Sequence, residues 1–97
     1  MKFDLSERLI GELRRCAESA GVEKVILFGS RARLENTPRS DVDLAVNGGD
    51  FNAFYWAVKE TTHSLLTFDI VDLGEGVSEM LKNEIQRDGV TIYEKNK

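Results

Sequence analysis

Leu27-Phe28-Gly29-Ser30-Arg31-Ala32-Arg33, followed a few residues later by Arg39-Ser40-Asp41-Val42-Asp43-Leu44-Ala45-Val46, is the stretch that decides the fold. Val25-Ile26-Leu27-Phe28 is a short apolar run, the pattern of a buried strand. Gly29 ends it where the backbone must turn sharply and approach something closely. Ser30 is expected at the N-cap of a short helix, where backbone N–H groups favour an anion. Arg31 and Arg33 add positive charge beside it, so the segment reads as a phosphate cradle. Asp41 to Val46 alternates strictly: Asp41, Asp43 and Ala45 share one face of a strand, and Val42, Leu44 and Val46 point to the core.

Side chains two apart on a strand lie about 6–7 Å from each other. Two carboxylates at that spacing repel unless a cation lies between them. Mg²⁺ is held by one or two carboxylates together with substrate phosphate oxygens. Two such ions, about 3.5–4 Å apart, stabilise the attacking and leaving oxygens of an in-line displacement. A third carboxylate is expected nearby, and the candidates are Asp69 and Asp72 on a predicted strand over Thr67–Leu73. Their odd spacing puts them on opposite faces. Asp69 is preferred because it comes early in its strand, as Asp41 and Asp43 do, whereas Asp72 comes late on the Phe68/Ile70 face. It would complete a metal site or help take the proton from an attacking hydroxyl. A calcium loop needs Gly at its sixth position and polar ligands between the acids; Leu44 and Val46 exclude it.

Outward from this centre, helices and strands take turns. Asp4 followed by Glu7 has the form of a capping box. Leu9, Ile10, Leu13, Cys16, Ala17 and Ala20 form one helical stripe, and Gly21 supplies the stop. Asn47-Gly48-Gly49-Asp50 is a turn, with Asp50 placed to cap a helix over Phe51–Leu66. Phe51, Phe54, Tyr55, Val58, Thr62 and Leu65 share one face of that helix at about 100° per residue. Gly74-Glu75-Gly76 leads into a helix around Glu79–Arg87, with Met80 and Leu81 as core candidates, and Val90-Thr91-Ile92-Tyr93 is a last strand. The expected architecture is α/β (α+β), a small mixed β-sheet packed with helices in one domain over residues 1–97. Neither GxxxxGK[ST] nor GxGxxG occurs, which removes the P-loop and dinucleotide-binding folds.

Composition narrows the chemistry further. Cys16 and His63 are the only cysteine and histidine, so zinc clusters built from Cys and His are excluded. Any metal ligands must be oxygens, which favour Mg²⁺. The net charge of −4 and the lack of a basic block argue against an extended nucleic-acid surface. No apolar run approaches the ~20 residues of a membrane span, and no signal-peptide core is present, so a cytoplasmic location is expected. Trp56 and His63 lie well off the core stripe of their helix. Either the tryptophan is simply exposed or folded over a helix edge, or this face docks another protein.

Gly29-Ser30-Arg31-Ala32-Arg33, then Ser40-Asp41-Val42-Asp43-Leu44-Ala45-Val46, resembles the GSxAR…SDxDLxV signature of the DNA polymerase beta-like nucleotidyltransferase superfamily, and within it the minimal nucleotidyltransferase branch. The resemblance extends to Phe68-Asp69-Ile70-Val71 and to Val90–Glu94. It implies that Gly29 and Ser30 hold the triphosphate of ATP or another NTP, that Asp41 and Asp43 bind metal, and that Asp69 is the third acid. The family commonly has Gly where this chain has Leu34. Larger members add an acceptor-binding domain, for which 97 residues leave no apparent room. Minimal members are typically paired with a helical HEPN-type protein, which implies a hetero-oligomer. In such pairs the nucleotidyltransferase can be an antitoxin that adenylylates its toxin. Two functions therefore fit. One is a Mg²⁺-dependent nucleotidyltransferase moving AMP to an acceptor hydroxyl; the other is a non-catalytic nucleotide-binding subunit that scaffolds or neutralises its partner.

Overall fold

The computed structural model of the chain describes residues 5–37, 39–61 and 66–95. The first helix, α1, spans Glu7–Ala20; Ser6 caps it, its hydroxyl oxygen accepting from the Leu9 N–H at 3.1 Å. Ser6 thus fills the role expected of Asp4, which lies outside the described residues. Gly21 ends the helix in the left-handed conformation, φ 70°, and its N–H returns to the carbonyls of the last turn. Leu9, Ile10, Leu13, Cys16 and Ala17 are buried, as the stripe predicts.

Strand β1 (Lys24–Phe28) runs into the four-residue α2 (Ser30–Arg33), and β2 (Val42–Asn47) follows a loop. Helix α3 (Phe51–Thr61) then crosses to β3 (Phe68–Asp72), α4 (Glu79–Asp88) follows, and β4 (Val90–Glu94) closes the sheet. Asp50 begins α3 as expected, its carboxylate accepting from the Ala53 N–H at 3.1 Å. Thr62, His63 and Leu65, placed by sequence on the end of α3, lie outside the described residues.

The strand order is β3-β2-β1-β4. β1 is antiparallel to both β2 and β4, while β2 and β3 are parallel because α3 carries the chain back across the sheet between them. This mixed sheet packed with helices is the expected fold class. One face meets α1 and α3 through a core that includes Leu13, Val25, Leu27, Leu44, Val46, Phe54 and Val58. The other face meets α4 through a smaller cluster of Phe28, Ala45 and Ile85. Burying each large apolar side chain contributes about 1.5–3 kcal/mol, so most of the cohesion lies on the α1/α3 side.

At the periphery one expectation changes, that for Met80, while Trp56 lies off the core as its place on the helix predicts. Met80, read as core, is 82% exposed. A single short helix offers the sheet only a narrow stripe, and α4 fills it with Leu81 and Ile85, one turn apart; Met80 is turned about 100° away. Trp56 is 60% exposed and sets its ring edge-on against Tyr55, centroids 5.3 Å apart, while Lys59 lies over the Tyr55 ring.

Candidate active site

The strand register assembles the acids. Asp43 pairs across the parallel ladder with Asp69 and across the antiparallel ladder with Phe28, the last residue before Gly29. Directly paired residues share a face, and neighbouring strands are about 4.8 Å apart. Asp43 and Asp69 therefore stand side by side on the α4 face, at the end of the sheet where β1 leaves it. Asp41 precedes β2 with the same parity as Asp43, and it is exposed. Asp72 pairs with Val46 at the far end of the ladder, and its carboxylate accepts from the Gly74 N–H at 2.9 Å. It caps the following turn rather than joining the other acids.

Gly29 closes the site from β1. Its backbone has φ 76°, ψ −156°, and a Cβ at this position would run into the Asp43 carboxylate. Glycine is thus required both by the turn and by the close approach of the two strands' ends. Gly29 itself occupies the N-cap of α2, and Ser30 is the first helical residue. This moves the expected cap by one position, because only glycine takes up that φ, ψ pair readily.

The two arginines are placed differently from each other. Arg33 lies near α4: its Nε donates to Glu35 Oε1 at 2.9 Å, and its Nη1 lies 3.4 Å from Asp88 and 3.6 Å from Glu84. Arg31, expected beside the phosphates, is only 4% exposed. Its Nε and Nη2 both donate to the Ser40 carbonyl, at 3.2 and 3.1 Å. At that exposure it offers a ligand almost no surface.

Negative charge accumulates around Asp43. Burial pushes its carboxyl up to about 6, helped by the negative fields of Asp69, Asp41 and Glu84 and opposed by Arg33. Glu84 is the acid that sequence reading missed. Glu84 and Asp88 form an i, i+4 pair of acids on α4, but an acidic helix face usually means solvent, and only the packing of α4 turns this one toward α2. The donor set is all oxygen, which suits a hard divalent cation, and Mg²⁺ needs no more than one or two protein carboxylates. The side-by-side pair Asp43 and Asp69 meets that need. Among the described residues no three acidic, His or Cys side chains come together in a way that could hold a metal ion. The protein's share of a cation site here is therefore the Asp43–Asp69 pair, and other ligands would have to come from substrate oxygens or water.

No curated protein sequence matches the chain. Among solved structures, a toxin–antitoxin with AMP-PNP is 20% identical, with a TM-score of 0.71 over 90% of this chain and 74% of that one. Two mutants of the toxin–antitoxin MntA-HpeT are 23% and 26% identical, with TM-scores of 0.69 and 0.66. They cover 95% and 96% of this chain and 76% of theirs. The likeness is one of fold. Family membership comes from sequence: residues 12–97 match the family described as Polymerase beta, Nucleotidyltransferase, and to that nucleotidyltransferase family the chain belongs.

Proposed function

We propose that the chain is a Mg²⁺-dependent adenylyltransferase that moves AMP from ATP to an acceptor hydroxyl on a separate, HEPN-type helical protein. The observation that carries the reading is the pairing of Asp43 with Asp69 beside Gly29. In this reading Gly29 and Ser30 hold the triphosphate, with Arg33 at its edge, and Asp41, Asp43 and Asp69 hold the divalent ions. The ions, when bound, neutralise the phosphates and so lower the barrier to displacement. Asp69, the exposed member of the pair, is the group that receives the proton of the acceptor hydroxyl. The hydroxyl oxygen bonds to the α-phosphorus and pyrophosphate leaves in line. The raised pKa of Asp43 supports a cation site, because a group that resists ionisation alone gains most from a positive neighbour. The toxin–antitoxin relatives, one with AMP-PNP, support both an adenine nucleotide and a protein partner.

The test is transfer of label from α-phosphate-labelled ATP to the protein that co-purifies with the chain. Label should appear on the partner with Mg²⁺ and vanish in Asp43→Asn. If Asp43→Asn still neutralises the partner, and no label moves in the wild type, the chain acts by binding alone.

A further inference from the structure

The loop between α2 and β2 delivers Asp41, and Asp41 lies outside the β ladder. On its far side, Val42 is fixed by its N–H donating to the Thr67 carbonyl at 2.8 Å. On its near side the anchor is the Ser40 carbonyl, which receives both Nε and Nη2 of Arg31. Ser40 is itself held in a tight turn: its Oγ accepts from the Thr37 N–H at 2.9 Å, and its N–H donates to the Thr37 carbonyl at 3.1 Å. Arg31 is the one buried charged side chain among the described residues. Removing a guanidinium from water is costly. The two hydrogen bonds to one carbonyl oxygen help offset that cost, and they tie the residue after Ser30 to the residue before Asp41.

We infer that Arg31 is a positioning residue: it fixes the distance between the Gly29-Ser30 turn and the Asp41 carboxylate, and it does not contact the nucleotide. The inference rests on the metal-dependent reading proposed above. It divides the two arginines of the motif by task. Arg33, partly exposed, is the one with access to phosphate; Arg31 acts through the backbone. Without Arg31 the Ser40 carbonyl loses its clamp and Asp41 swings with the loop, while Asp43 and Asp69 remain locked by the β2–β3 register.

The measurement uses the full chain, Mn²⁺ as the metal probe and AMP-PNP as the nucleotide. Mn²⁺ binding is followed by electron paramagnetic resonance in the presence of AMP-PNP, and AMP-PNP binding is followed by calorimetry in EDTA. Arg31→Met should weaken Mn²⁺ binding tenfold or more and leave metal-free AMP-PNP binding within twofold of wild type. Arg31→Lys keeps the charge and can restore one of the two bonds, so its Mn²⁺ affinity should fall between the two; it also serves if Arg31→Met does not fold. Unchanged Mn²⁺ affinity in both variants overturns the inference, and so does a matching loss of metal-free AMP-PNP binding, which would make Arg31 a direct ligand. Absence of Mn²⁺ binding by the wild type removes the metal-dependent reading, and this inference falls with it.

Discussion

Leu34 carries a backbone conformation that suits its neighbours better than itself. It caps α2 at φ 60°, ψ 33°, with its side chain 56% exposed. It is the only non-glycine residue with positive φ among those described. The left-handed region costs an L-residue about 1–2 kcal/mol, part of which glycine returns through its freer unfolded chain. Leu34→Gly should therefore stabilise the protein by about 0.5–1 kcal/mol in urea denaturation, and a loss of stability would show that the exposed leucine is packing on something. Asp43 is strained electrostatically instead. Its folded pKa of about 6 lies above the ordinary ~3.9 of an unfolded aspartate. Between those values the folded state holds more protons than the unfolded one, so the group's contribution to stability is greatest below about pH 4, declines as pH rises to about 6, and is flat above. Without divalent metal, Asp43→Asn should raise the melting temperature at pH 7 and change it little at pH 4, while abolishing transfer. Equal effects at both pH values would refute the assignment of the strain to this carboxyl.

At the level of elements, the parallel pairing of β2 and β3 sorts the acids. Asp69→Asn should cripple transfer and leave the fold intact. Asp72→Asn should keep both transfer and stability, because its amide oxygen still accepts from the Gly74 N–H. Asp72→Ala should keep transfer and cost about 0.5–1.5 kcal/mol, the worth of that hydrogen bond. The reverse pattern in labelled-ATP assays would mean that Asp72 does the chemistry. Much of this was legible beforehand, because strand periodicity is rigid: Asp41 and Asp43 must share a face, and Asp69 and Asp72 must not. Register is a tertiary property, however, and no feature of Phe68–Asp72 alone says that Asp69 pairs with Asp43 rather than with a neighbour. Charge was harder to read than periodicity. Arg31 and Arg33 are two apart on a single turn of helix, yet one turns into the protein and the other toward α4. Which one is buried depends on where the Ser40 carbonyl and the Glu84 and Asp88 carboxylates arrive from the rest of the chain.

The whole molecule depends on closing its sheet with the last strand. β4 pairs with β1, Ile92 is buried in the main core, and the Ile92 carbonyl accepts from Arg14 Nε at 2.7 Å. Ile92→Ala should cost about 2–5 kcal/mol, the range for emptying a buried aliphatic site, read from the midpoint of urea unfolding. Far-ultraviolet circular dichroism is the better probe of that transition, since Trp56 is already largely in water and its emission should shift little. The Arg14–Ile92 bond has a further consequence, for the order in which the chain is made. Its two partners stand 78 residues apart, so a ribosome has released α1, β1, β2 and β3 long before the strand that covers β1 exists. During that interval β1 has a bare edge, and Leu27 and Val25 lack part of their cover. The nascent chain is therefore exposed to mispairing until Val90–Glu94 emerges, and a message truncated before Val90 should yield insoluble protein rather than a smaller soluble domain.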